Sequence, residues 1–62
     1  MREWLKEFRL AKGYTQLQLS KLVNVDKSLI GKYELGIRTP STSKAKKIAE
    51  ILDFPWTKFY ED

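Results

Sequence analysis

Apolar positions recur at three-residue spacing in the first stretch of the chain, at Leu5, Phe8 and Ala11, with charged residues between them. That period marks one face of a helix over residues 2–12, and Gly13 stands where a left-handed residue would end it. Thr15 followed three residues later by Gln18 is a capping box, in which hydroxyl and side-chain amide each satisfy an unpaired backbone N–H of a second helix, residues 16–23. Leu19 and Val23 form the buried stripe of that helix. Asn24 tolerates the left-handed backbone of a tight turn, Val25 plugs the space beneath it, and Asp26 is suited to cap the amides of a third helix over 27–34. Leu29, Ile30 and Tyr33 are its apolar positions, and Gly36 is its stop, with Pro40 shortly beyond. Ser41 can cap a fourth helix with the stripe Ala45, Ile48, Ala49 and Leu52. Pro55 or Asp53 begins a short fifth element carrying Trp56, Phe59 and Tyr60. The pattern predicts an all-α domain of five short helices, one unit over residues 1–62, with short connections and low contact order.

Length and composition narrow the chemistry. A chain of 62 residues buries about 60% of the surface that its unfolded form exposes, so it needs a locally connected architecture or a covalent or metal staple. With no Cys and no His there is no disulfide, no thiolate nucleophile, no common zinc site and no His-based acid–base catalysis. The sequence therefore predicts a non-enzyme with no catalytic residue, no metal, no cofactor and no small-molecule ligand. No apolar run approaches the length of a spanning helix, and residues 1–12 lack a signal-peptide core, which predicts a soluble cytoplasmic protein away from membranes. Met1 and the acidic tail Glu61-Asp62 fit a small complete product.

Charge changes the picture further. The net charge is +4, yet residues 1–8 are neutral and residues 48–62 carry −3. Between Arg9 and Lys47 nine cations face two anions, a net of +7. That asymmetry points to a polyanionic partner, nucleic acid or an acidic membrane surface, against the blander reading of a solvated lysine face.

Within this basic stretch, residues 15–34 place two short helices about the three-residue turn Asn24-Val25-Asp26. Such a turn sets helices at about 90–120° to each other, and Ser20 is small enough for a close crossing. With Leu5 and Arg9, the run Gly13-Tyr14-Thr15-Gln16, then Leu19, Val23, Val25, Ile30, Tyr33, Glu34, Gly36, Arg38, Pro40, Ser41, Ile48, Ala49 and Leu52, the chain resembles the Cro and phage-repressor-type helix-turn-helix domains of the XRE family. The resemblance runs from Leu5 to about Tyr60, with the helix-turn-helix at about 16–34. Ser20 takes a place usually held by Ala and Asn24 one usually held by Gly. The resemblance implies a compact phage-repressor-like fold and a transcriptional regulator that binds double-stranded DNA as a homodimer on a palindromic operator, with the third helix in the major groove.

The resemblance also implies roles for single residues. Lys27, Ser28 and Lys32 fall on the base-facing positions, where Lys can donate to guanine and a Ser hydroxyl can donate or accept. Gln16 would donate to a phosphate and brace the recognition helix, and Gly36, Arg38 and Lys44 would add backbone contacts. Arg9 and Glu34 would form a structural ion pair, and Leu35, Ile37 and Trp56 a dimer patch, unless they are scattered exposed residues. Two local oddities agree with a surface used by DNA. Lys27 sets a cation against the positive end of a helix dipole, and Gly31 costs about 1 kcal/mol relative to Ala inside a helix. Gly31 makes room either for DNA or for close packing on the second helix; Leu29 either touches a thymine methyl or is partly buried; Lys46 and Lys47 either meet phosphate or pair with Glu50.

Two rival classes remain. A protein-interaction module, such as an antitoxin or adaptor, would gather Leu17, Leu22, Leu29 and Leu35 into one apolar patch. An enzyme would need a cleft, and Ser20 beside Lys21 on a short helix offers none.

Overall fold

The computed structural model describes residues 1–61; Asp62, the end of the acidic tail, lies outside the described residues. Four α-helices follow one another, α1 (Glu3–Ala11), α2 (Gln16–Val23), α3 (Lys27–Leu35) and α4 (Thr42–Leu52), and a 3₁₀ helix, Trp56–Tyr60, closes the described chain. The expected fifth helix is thus a short 3₁₀ helix and not an α-helix. Five residues after Pro55 cannot repay α-helix nucleation, and i→i+3 bonds such as Lys58 N–H to Pro55 O at 3.0 Å hold it instead.

Local chemistry explains the helix ends. The capping box at α2 is present in both halves: Gln18 N–H donates to Thr15 Oγ1 at 3.0 Å and Thr15 N–H to Gln18 Oε1 at 2.9 Å. Asn24 ends α2 at φ 59°, and the next amide, Val25 N–H, reaches back to Ser20 O at 3.0 Å. Asp53 ends α4 in the same way at φ 65°, with Phe54 N–H on Ala49 O at 3.1 Å. Asp26 occupies the position before α3, but its carboxylate accepts from the Ser28 hydroxyl and caps no amide, contrary to the sequence expectation. α1 starts at Glu3, after Arg2 at non-helical φ −102° and ψ 67°, and the Arg2 N–H, which has no partner within the helix, donates to Glu34 O at 2.8 Å.

The core is built where helical stripes meet. Leu5 of α1, Leu19 and Val23 of α2, Ile30 and Tyr33 of α3, and Ala45, Ile48, Ala49 and Leu52 of α4 are buried together with Phe54 and Phe59. Ala11, expected on the inner face of α1, is exposed because that helix ends on it. Trp4, Phe8, Phe54 and Phe59 form one aromatic cluster, its contacting rings having centroids 5.1–5.6 Å apart. Ser20, buried between helices, donates to Leu17 O at 2.7 Å, so the hydroxyl that replaces a methyl at this crossing is satisfied within its own helix. No helix among the described residues is long and apolar enough to cross a membrane.

Candidate nucleic-acid interface

α3 is anchored from below by one carboxylate. Glu34, near its C-terminal end, is buried and receives Arg9 Nε of α1 at 2.6 Å and Arg9 Nη2 at 3.3 Å. Gln16, the first residue of α2, donates from Nε2 to Glu34 Oε1 at 3.1 Å, and Arg9 Nη1 donates to Tyr14 O at 2.8 Å. The charge of Glu34 is thereby matched by a two-pronged guanidinium and a third donor, which is the condition under which a buried ion pair holds rather than loosens a fold. Three helices are fixed to one another at this point.

The face of α3 turned away from the core residues Ile30 and Tyr33 is open to solvent. Lys27, Ser28 and Lys32 are exposed, neither lysine has a salt-bridge partner among the described residues, and Gly31 between them is half-buried. A Cβ placed on Gly31 would lie 3.6 Å from Gln16 Nε2, an ordinary contact, so packing against α2 does not demand a glycine. Leu29 is half-buried against the core, which favours packing over outward contact. Arg38, in the loop after α3, is exposed with no ion pair among the described residues.

Two of the expected phosphate donors are occupied. The Gly36 amide, at φ 80°, donates to Tyr33 O at 3.2 Å, and the following amides of Ile37 and Arg38 both turn to Lys32 O, so this backbone serves the C-cap of α3. Lys44 is half-buried and its ammonium donates to Val23 O at 3.0 Å, with Asn24 O at 3.5 Å. A cation is drawn there because the last carbonyls of α2 are unpaired and carry the negative end of its dipole. The placement makes Lys44 a tie between α4 and α2.

The apolar candidates separate. Leu35 and Ile37 are 50% and 67% exposed, whereas Trp56 is half-buried, edge-on to Tyr60 at 5.8 Å and beneath the Lys46 ammonium at 5.0 Å. Lys46 therefore uses a ring face and not Glu50. Leu17 and Leu22 are exposed on α2 but about 140° apart around its axis, and with Leu29 packed inward the four leucines do not share one face.

Sequence reasoning missed Lys6 and Arg2. Lys6 lines a groove of about 220 Å³ with Gln16, Gly31 and Leu35, beside the exposed face of α3. Nothing in the alternating charges of residues 2–7 marked it. Arg2 is 7% exposed, its guanidinium bound to the far end of α3 and the loop beyond.

The sequence pattern of the helix-turn-helix family matches residues 5–59. This chain belongs to the XRE-type helix-turn-helix family. Over 62 residues, the whole of the chain and 82% of the relative, it is 45% identical to the uncharacterized HTH-type transcriptional regulator YqaF of Bacillus subtilis (strain 168). It is 35% identical over 49 residues, 79% of the chain and 71% of the relative, to the uncharacterized HTH-type transcriptional regulator YazB of the same organism. A 41% identity over 54 residues links 87% of the chain to 17% of the putative HTH-type transcriptional regulatory protein MJ1164 of Methanocaldococcus jannaschii. No solved structure matches the chain. The helix-turn-helix regulators are a DNA-binding family and not a class of enzymes.

Proposed function

We propose that the protein is a sequence-specific regulator that binds a roughly palindromic operator as a homodimer, each copy laying α3 in the major groove. The observation that carries this reading is the exposed set Lys27, Ser28 and Lys32 on a helix whose inner end is fixed by the Arg9–Glu34–Gln16 cluster. Fixing the helix sets the places from which its donors leave before DNA arrives, so that only the exposed side chains, at about 0.5–1.5 kcal/mol each, remain to be ordered on binding. Lys27 and Lys32 read guanine edges, and Ser28, whose one hydroxyl proton goes to Asp26, accepts. Arg38 meets the phosphate backbone, and Gln16, with one amide hydrogen left after Glu34, adds a second contact. Gly36 and Lys44 shape the turns that present these groups. Leu35 and Ile37 join the two copies, setting two recognition helices about 34–36 Å apart on one face of the duplex. Occupying promoter DNA then represses transcription without catalysis.

The test is selection from a pool of random duplexes at about 0.15 M salt, near physiological ionic strength. Enrichment of two inverted half-sites is the expected result. Binding without enrichment that vanishes as salt rises would reject sequence-specific recognition.

A further inference from the structure

We propose that Arg2 is a positioning residue for DNA-backbone binding, acting through Arg38; the inference rests on the DNA-binding reading above. Arg2 lies 31 to 37 residues from the groups it holds. One nitrogen, Nη1, donates to Tyr33 O and to Arg38 O, both at 2.9 Å, and Nη2 donates to Thr39 Oγ1 at 2.7 Å. Its backbone N–H donates to Glu34 O at 2.8 Å, and its guanidinium carbon lies 5.5 Å from the centre of the Phe59 ring. The fork thus spans the last turn of α3 and the two residues that follow Ile37. Arg38 has its carbonyl held on the inside by Arg2 while its own side chain is exposed, with no ion pair among the described residues. Fixing the carbonyl fixes the Cα from which the Arg38 side chain leaves the loop.

The arginine keeps this place at a cost. Its Nε is buried without a hydrogen-bond partner among the described residues, a defect that buried polar groups rarely carry. Departures of this kind gather where a protein needs a geometry rather than the most stable packing. A lysine could supply the same charge and three donors at the end of α3, but from one nitrogen and not from the two that the planar guanidinium sets side by side. Charge alone therefore does not account for the site; the planar fork does.

That distinction sets the experiment. Binding of a labelled 20-base-pair random-sequence duplex is followed by fluorescence anisotropy over a range of salt, for the native protein, Arg2→Lys, Thr39→Val, Arg38→Ala and the two double variants. Arg2→Lys leaves the net charge unchanged, so a change in salt slope cannot come from its own charge. Thr39 is exposed, so Thr39→Val removes one anchor of the fork without opening the core, and it keeps the test alive should Arg2→Lys fold poorly. Expected are a loss of about threefold or more for Arg2→Lys, a smaller one for Thr39→Val, and no further loss from either in the Arg38→Ala background. The salt slope should fall toward that of Arg38→Ala, about one unit below the native protein. Equal losses in both backgrounds, or no loss in either, would overturn the inference and leave DNA binding intact. Failure of the native protein to bind any duplex would overturn both.

Discussion

Gly31 is the residue at which stability and use of α3 part company. A Cβ there meets only Gln16 at ordinary distance, so Gly31→Ala is expected to stabilise the fold by about 0.5–1 kcal/mol in thermal melts while weakening DNA binding. A stabilised variant with native affinity would remove close approach of DNA as the reason for glycine. Asp53 is a conflict in its local backbone and charge. It holds a left-handed backbone at φ 65° and sets a carboxylate at the negative end of the α4 dipole, two unfavourable effects of the same sign. Asp53→Gly should raise stability by about 1 kcal/mol, or roughly 4–8 °C in a domain of this size, and Asp53→Asn by less. Tyr33 supplies a pH signature. Burial raises its phenol above the ordinary 10.0, and the nearby positive charge of Arg38 only partly opposes this. The folded state keeps the proton where the unfolded chain has lost it, so this contribution is intact below pH 10.0 and is lost as pH rises through the raised value. Tyr33→Phe should show a shallower alkaline loss of stability than the native protein, the lysines being common to both.

Among the elements, the decisive joint is the Glu34 cluster, because one carboxylate holds α1, α2 and α3 together. Glu34→Gln keeps the size but leaves Arg9 buried without an anion. Breaking a buried pair in this way costs about 3–5 kcal/mol, against about 3–9 kcal/mol for the entire stability of a chain this long. Urea unfolding should find the variant largely unfolded or shifted by that amount, and a native midpoint would mean that the pair contributes nothing. Much of the helical layout was legible in the sequence because its signals are local: Thr15 with Gln18, Asn24, Gly36 and Ser41 all act within three or four residues of themselves. The pairing of Arg9 with Glu34 is not local, and it was read through a resemblance. What escaped was long-range and used residues with no local mark. Arg2 crosses to Tyr33 and Thr39, and Lys44 reaches back 21 residues to Val23. A lysine that caps a neighbouring helix has the same local sequence as one that awaits a phosphate, so spacing alone could not distinguish the two. Asp26 failed as a cap for a related reason: the hydroxyl of Ser28, two residues on, competes for its carboxylate.

At the scale of the whole molecule, the question is how one small basic domain covers enough DNA to be specific. Single modules bury about 600–1,000 Å² on DNA, toward the low end for specific affinity, and doubling the contacts through a second copy answers that limit. The surface offers Leu35 and Ile37 for the purpose, exposed side by side across the Gly36 turn at the end of α3. Because they flank the recognition helix, a joint at this point would also fix the spacing of the two helices. Ile37 is 67% exposed and outside the core, so Ile37→Lys should leave the melting temperature of the isolated chain nearly unchanged, as surface substitutions do within about 0.5 kcal/mol. On a duplex with two inverted half-sites its affinity should fall to that for one half-site, while single half-site affinity stays native or rises slightly with the added charge. Sedimentation on the two-site duplex should show two native copies bound together and the variant copies binding independently. Cooperative occupancy by Ile37→Lys would move the dimer joint off this turn, and a native protein that fills the two half-sites independently would remove the dimer while sparing the readout by α3.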